Sequence, residues 1–270
     1  MKTNSKRFLP ERFYSLDSEM SMEKILQAKN TQEPLVGKVV LWNSLNQFLE
    51  IDLGNKIRGY IPADSISIYP ALESDGKPTA SVRALIGKTV LVTVSEVSCF
   101  DIQLSRNNLM ENAFNSICES IGESIECCIT NITTFGFFVD CGNGVSGLIR
   151  WQNLTTSRFE SIRDLCFKEG DSIIAKVISV NQDHHVSLSY KDTFDNLAYS
   201  LNPDDIIEVV LTNQLPDGTG WFGFINPNTS GLVDKPDGVE FSYLDKVICR
   251  VKGQRNGHPD QLRLAFVSFS

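Results

Sequence analysis

The segment Phe135-Gly136-Phe137-Phe138-Val139-Asp140 carries the residue types and spacing best suited to chemistry in this chain. In an extended strand, side chains alternate between faces, so Phe137 and Val139 share one parity and point inward, while Phe138 points outward. Gly136 lets the backbone bend, which brings Phe135 back beside Phe138 on the outer face. Two neighbouring exposed rings make a platform for flat π systems. A nucleobase stacked on such a ring gains roughly 1–3 kcal/mol with little sequence preference. The competing role for either ring is plain core packing, which the alternation disfavours.

The elements that must position these rings surround them. Gly122–Ile132 reads as a strand leading into Phe135–Asp140, and Asn143-Gly144 supplies a hairpin turn before Val145–Arg150. A polar connector over Thr156–Phe167 is followed by a break at Gly170-Asp171. Ser172–Val180 and Val186–Ser189 then complete five short strands, the pattern of a small Greek-key barrel of the oligonucleotide-binding type. The order recurs. Upstream, Val36–Trp42, Phe48–Gly54 and Asn55–Ile61 come first, with Gly59 falling at Gly147. A long insertion over Tyr69–Val82, Gly87–Val94 and Phe100–Ser105 follow. Downstream, Asp205–Leu211, Trp221–Ile225, Gly231–Val233, Lys246–Lys252 and Leu262–Ser268 repeat it more loosely.

The fold class expected is therefore all-β: tandem five-stranded barrels with short helical linkers. The expected divisions are an N-terminal extension over 1–34, a first barrel over 35–106, a helical linker over 107–121, a central barrel over 122–192 and a divergent third barrel over 203–270. Leu109, Met110, Ala113, Phe114 and Ile117 lie near helical spacing in the linker. A short helix is expected over Met20–Ala28, capped by Ser21, with Met22, Ile25 and Leu26 on one side. A helix that short is marginal in water and needs a partner surface.

The central segment, from Phe135–Asp140 through Gly147–Arg150 and Gly170-Asp171 to Val186–Ser189, resembles the S1 RNA-binding domain over about 70 residues; the flanking modules resemble it more weakly. The resemblance implies a five-stranded oligonucleotide-binding fold that holds unstructured mRNA, docked on the small ribosomal subunit in translation. In that family the platform face also carries a His, an Asp and a basic residue. The matching positions hold Arg150, Asn181 and His185, none of them the usual residue. Arg150 can stack on a base or pair with phosphate, Asn181 can donate as well as accept, and His185 can still stack. In the first module the platform positions fall on Gln47 and Glu50, where a carboxylate repels phosphate, so a spacer or interaction role is expected there. In the third, aligning Ile225 with Val139 puts Trp221 and Phe224 on the platform, with Arg250 and Lys252 outward on the fourth strand and Arg255 beyond.

Charge argues against a simple phosphate binder. The net charge is −8, and residues 122–192 hold six Lys/Arg against nine Asp/Glu, so stacking or local basic clusters must carry RNA affinity. The alternative function is a protein–protein adaptor of the same fold with little RNA affinity, docking on the ribosome or another RNA machine. There is no Gly-rich phosphate loop, GxSxG elbow, HExxH or supported carboxylate pair, so no enzyme, cofactor or small-molecule substrate is expected. His184-His185 lacks companions at metal-ligand spacing. Seven cysteines without CxxC spacing read as reduced structural thiols. No apolar run reaches the ~20 residues of a membrane span, and the first residues lack a signal-peptide core, so a cytoplasmic location is expected.

Overall fold

The structure is a computed structural model that describes residues 8–99 and 101–270. The start of the extension read over 1–34, and Phe100 of the strand read over Phe100–Ser105, lie outside the described residues.

The first helix, α1 (Met22–Thr31), begins where Ser21 accepts a hydrogen bond from the Lys24 amide at 3.3 Å. Its buried face differs from the expected one. Met22 and Leu26 are exposed, and the helix docks on the first barrel through Ile25, Ala28 and the preceding Met20. The partner surface it needs is supplied by its own chain.

That barrel comprises β1 (Leu35–Asn43), β2 (Phe48–Gly54), β3 (Ile57–Pro62), the single turn α2 (Ala80–Arg83), β4 (Thr89–Val97) and β5 (Ile102–Ser105). Helix α3 (Asn107–Glu119) leads out of it and buries Met110, Ala113, Phe114 and Ile117 in the core of the central barrel. The central barrel is built of β6 (Ser124–Thr133), β7 (Gly136–Asp140), β8 (Ser146–Arg150), the turn α4 (Trp151–Leu154), β9 (Ser172–Val180) and β10 (Val186–Ser189). The third contains β11 (Ile206–Gln214), β12 (Gly220–Asn226), β13 (Thr229–Asp234), β14 (Lys246–Arg255) and β15 (His258–Phe269).

All three sheets close with the same circular order, each third strand pairing in parallel with the fifth. One glycine per barrel permits that closure. Gly59, Gly147 and Gly231 sit where the closing strand crosses, and a Cβ there would lie 2.7–2.8 Å from Leu104, Leu188 and Leu264 respectively. Each barrel has its own apolar core, of Leu49 and Ile61 in the first, Phe137 and Ile149 in the second, and Leu211 and Val233 in the third.

The first and central barrels are pinned together by the N-terminal segment. The Glu11 amide donates to Asp140 Oδ2 at 2.8 Å, and the Asn143 amide to the Leu9 carbonyl at 3.1 Å. Glu11 Oε1 accepts from the Leu91 amide, and Oε2 pairs with buried Arg106 at 2.8 Å. From the insertion of the first barrel, Tyr69 reaches across to accept from the Ser146 amide and donate to the His184 carbonyl. On the other side, the connector after α4 docks on the third barrel: Thr156 donates to the Pro227 carbonyl, and the Tyr243 hydroxyl joins Asp164 to the Glu160 amide.

Burial pushes the Asp140 carboxyl up to about 6, and the Glu11 carboxylate beside it adds to the rise. The amides of Glu11, Gly142 and Gly144 pull it part of the way back. Between the ordinary value of 3.8 and about 6, the folded chain holds a proton that the unfolded chain has released, so acidification through this window favours the folded form. Protection of the Asn143 amide against hydrogen exchange, corrected for intrinsic rates, is expected to be higher at pH 5 than at pH 7. A steady loss of protection as the pH is lowered over that interval would show that Asp140 does not govern the junction.

Candidate nucleic-acid interface

The outer face of the central barrel is organised as a row of side chains in register. Asn131 on β6 lies opposite Phe138 on β7, which lies opposite Leu148 on β8, which lies opposite Ser187 on β10. A bulge between Ile129 and Asn131 brings Asn131 onto the same face as Phe138, while alternation along β7 sends Phe137 fully into the core and leaves Phe138 half-buried at the surface.

Phe135 occupies the turn between β6 and β7 and is 52% exposed. Its ring centroid is 5.8 Å from that of Phe138, with the planes at 88°, so one ring presents a face and the other an edge. Gly136 makes this possible. It has φ +155°, and a Cβ there would lie 2.3 Å from the Ile149 carbonyl oxygen, so β7 can approach β8 this closely only at glycine. Arg150 lies directly across from Gly136 and is exposed, on the strand that neighbours the two rings.

Asn181 and His185 lie at the other end of the face, in the turn between β9 and β10. Asn181 Oδ1 accepts from the His185 amide at 2.8 Å, so its acceptor serves the turn. The His185 ring stacks on Tyr69 at 5.4 Å with the planes 10° apart, giving one face to the first barrel. Neighbouring His184 packs edge-on against Phe114 at 4.7 Å, and no metal-binding cluster occurs among the described residues. From Ser146 to Arg150 the face spans about 13 Å at the usual rise per residue.

The third barrel corrects the aromatic pair read from its sequence. Asn213, Phe222 and Leu232 form the register row that Asn131, Phe138 and Leu148 form in the central barrel. Phe222 is thus the counterpart of Phe138, while Trp221 matches Phe137 and is buried in the core. Phe224 packs against Phe159 of the connector at 5.3 Å, inside the junction with the central barrel. The expected alignment slid by two residues because the loop before β12 is longer than the Thr134-Phe135 turn. A usable signal was present: the inward residues Ile51, Val139 and Gly223 each pair with the closure glycine eight positions later, at Gly59, Gly147 and Gly231.

The basic cluster expected there is largely compensated. Arg250 lies 3.6 Å from Asp204, and Lys252 and Arg263 flank Asp234 at 3.9 and 3.4 Å. Asp234 occupies the register position that Arg150 holds in the central barrel. Arg255 lies over the Phe222 ring, 5.4 Å from its centroid. Alanine at Trp221 is therefore expected to destabilise the third barrel by about 3–5 kcal/mol, whereas alanine at Phe222 leaves its melting nearly unchanged. Thermal unfolding of the two variants separates these assignments. In the first barrel the row reads Leu41, Glu50 and Tyr60, with Glu50 tied to Arg58, so a carboxylate stands where the central ring stands.

Residues 120–191 match the family profile described as the S1 RNA binding domain. The central barrel belongs to this family. Over a stretch that includes the S1 domain, the chain is 32% identical over 232 residues to a small ribosomal subunit protein bS1 of Staphylococcus haemolyticus, covering 81% of this chain and 55% of that protein. It is 29% identical over 226 residues to a bS1 homolog of Bacillus subtilis, covering 78% and 54%. The chain thus spans about half the length of these relatives. A 4-hydroxy-3-methylbut-2-enyl diphosphate reductase of Fusobacterium nucleatum is also 32% identical over 221 residues, covering 74% of this chain but 25% of that protein. The S1 region is therefore shared by proteins carrying quite different names. Among the described residues no helix is long and apolar enough to cross a membrane.

Proposed function

We propose that this chain binds single-stranded RNA, mRNA in particular, through the central S1 domain and acts in translation as a non-enzymatic, cytoplasmic, ribosomal protein S1-like component. The observation that carries the reading is the exposed Phe135–Phe138 pair with Arg150 on the neighbouring strand, on the outer face of the S1 domain. Rings supply sequence-tolerant stacking and the guanidinium supplies a phosphate or stacking partner, which is what an unstructured strand requires. The relatives named as small-subunit ribosomal proteins point to the ribosome as the place where the strand is held. Asn181 and His185 extend the contact surface toward the first barrel, and Phe222 with Arg255 forms a weaker site on the third. Sites of this kind on one chain gain avidity through effective concentration.

The test is fluorescence anisotropy of a labelled, unstructured oligouridylate titrated with the protein and with its Phe135→Ala/Phe138→Ala variant at low and near-physiological salt. Binding that is lost in the variant and weakens as salt rises supports RNA binding by stacking and charge. Absence of binding at low salt would leave the adaptor role.

A further inference from the structure

We propose that the cleft between the first and central barrels is a second RNA subsite that takes up the strand as it leaves the platform. The inference rests on the RNA-binding reading above and extends it to residues outside the S1 domain. The cleft has a volume of about 830 Å³, within the usual range of ligand sites. One wall is the central barrel, with Asn131 and Phe138; the other is the first barrel, with Ala84, Leu85 and the Gly87–Thr89 turn. Asn131 and Phe138 thus belong at once to the platform row and to the cleft, so the two surfaces are continuous through these residues.

Charge within the cleft favours a polyanion at its mouth. Arg12 and Lys88 line it, both are exposed, and neither has an acidic partner within ion-pair distance among the described residues. Lys88 stands on a fixed turn, its amide bonded to the Leu85 carbonyl and its carbonyl to the Val39 amide. The acidic groups deeper in are already engaged: Glu11 with Arg106, and Asp140 with the amides of Glu11, Gly142 and Gly144. Glu169 at the rim is the one lining carboxylate left in solvent among the described residues. Apolar groups on both walls, Leu85 on one and Phe138 on the other, with exposed cations beside them, suit a base inside and its phosphate outside. The Glu11–Arg106 strap holds the two walls at a fixed separation, so binding need not bring the barrels together.

The experiment compares labelled oligouridylates of ~4 and ~12 nucleotides, bracketing the span of a single platform. Each is titrated into the full chain and into its Lys88→Glu, Ser81→Lys and Phe135→Ala/Phe138→Ala variants. Ser81 and Lys88 are exposed cleft residues, so their replacement leaves the barrels folded, which a melting curve checks. Lys88→Glu is expected to weaken the long oligomer about five-fold and leave the short one unchanged. The slope of the long oligomer's affinity against salt should become shallower by ~0.7 for each phosphate no longer neutralised. Ser81→Lys should tighten the long oligomer alone. Equal effects on both lengths, or none on either, overturn the cleft subsite while the platform stands if the double Phe variant loses binding. If that variant binds both oligomers as the unchanged chain does, the platform reading fails and the cleft subsite falls with it.

Discussion

Removing Phe135 and Phe138 together is expected to lower affinity for unstructured RNA by at least about 30-fold while leaving the fold intact. Each stacked base is worth roughly 1–3 kcal/mol, and a factor of ten corresponds to about 1.4 kcal/mol, so two lost stacks amount to one and a half decades at the lower bound. Phe135 is half exposed in a turn, and Phe138 shares an outward row with Asn131 and Leu148, so alanine at either opens no enclosed cavity. Phe137→Ala is the contrasting variant. That ring is fully buried, packs edge-on against Phe167 at 5.4 Å and fills the centre of the barrel, so its loss should cost about 3–5 kcal/mol of stability. Three neighbouring phenylalanines, in a Phe-Gly-Phe-Phe run interrupted by one glycine, thus separate into binding and core roles. Circular dichroism melts beside the binding titration distinguish them. If the platform variant melted as early as Phe137→Ala, its loss of binding would reflect unfolding and not stacking.

The parts of the site that could be read from the sequence were those fixed by local rules. Alternation placed Phe137 and Phe138 on opposite faces, and Asn143-Gly144 announced the turn that the structure forms with both residues at positive φ, 50° and 81°. The all-β class followed from the recurrence of such local patterns. The Trp221 and Phe224 pair was misplaced for a corresponding reason. Loop lengths vary between repeats, and an alignment anchored on an apolar residue such as Ile225 tolerates a slip of two that preserves parity. Counting from the closure glycine does not, because strand crossing fixes that position sterically. The burial of Met20 and Ala28 beside Ile25, with Met22 and Leu26 left exposed, depended on how α1 meets the barrel, which its own periodicity does not contain. Least legible were the interactions across junctions. Tyr69 on the His185 ring and Phe159 on Phe224 both join residues far apart in sequence, and each covers a ring that the strand pattern alone leaves open.

Arg106→Met is expected to release the first barrel from the central one. The Arg106 and Glu11 side chains are 3% and 8% exposed, so this ion pair is shielded from solvent and little screened by salt. Arg106 also donates to the Ile66 carbonyl at 3.0 Å, which anchors it to the first barrel, while Glu11 holds Asp140 of the central barrel through its amide. Removing the cation strands a buried carboxylate beside a second one, a change that costs about 3–5 kcal/mol in comparable buried pairs. Local opening of the junction should then become at least about 100-fold more frequent, read as faster exchange of the Leu91 and Asn143 amides, both bonded to the strap. Amides in the core of the third barrel should exchange as before. Replacing both partners, Arg106→Met with Glu11→Leu, removes the stranded charge and should restore much of the protection of the Asn143 amide, where the cycle reads the coupling between them; the Leu91 amide loses its Glu11 acceptor in this variant and stays fast. If the double variant exchanged as fast as the single, geometry and not charge would hold the strap. If neither exchanged faster, the barrels would be held by Tyr69, α3 and the backbone bonds of Leu9 and Glu11, and the cleft between them would keep its shape without the pair.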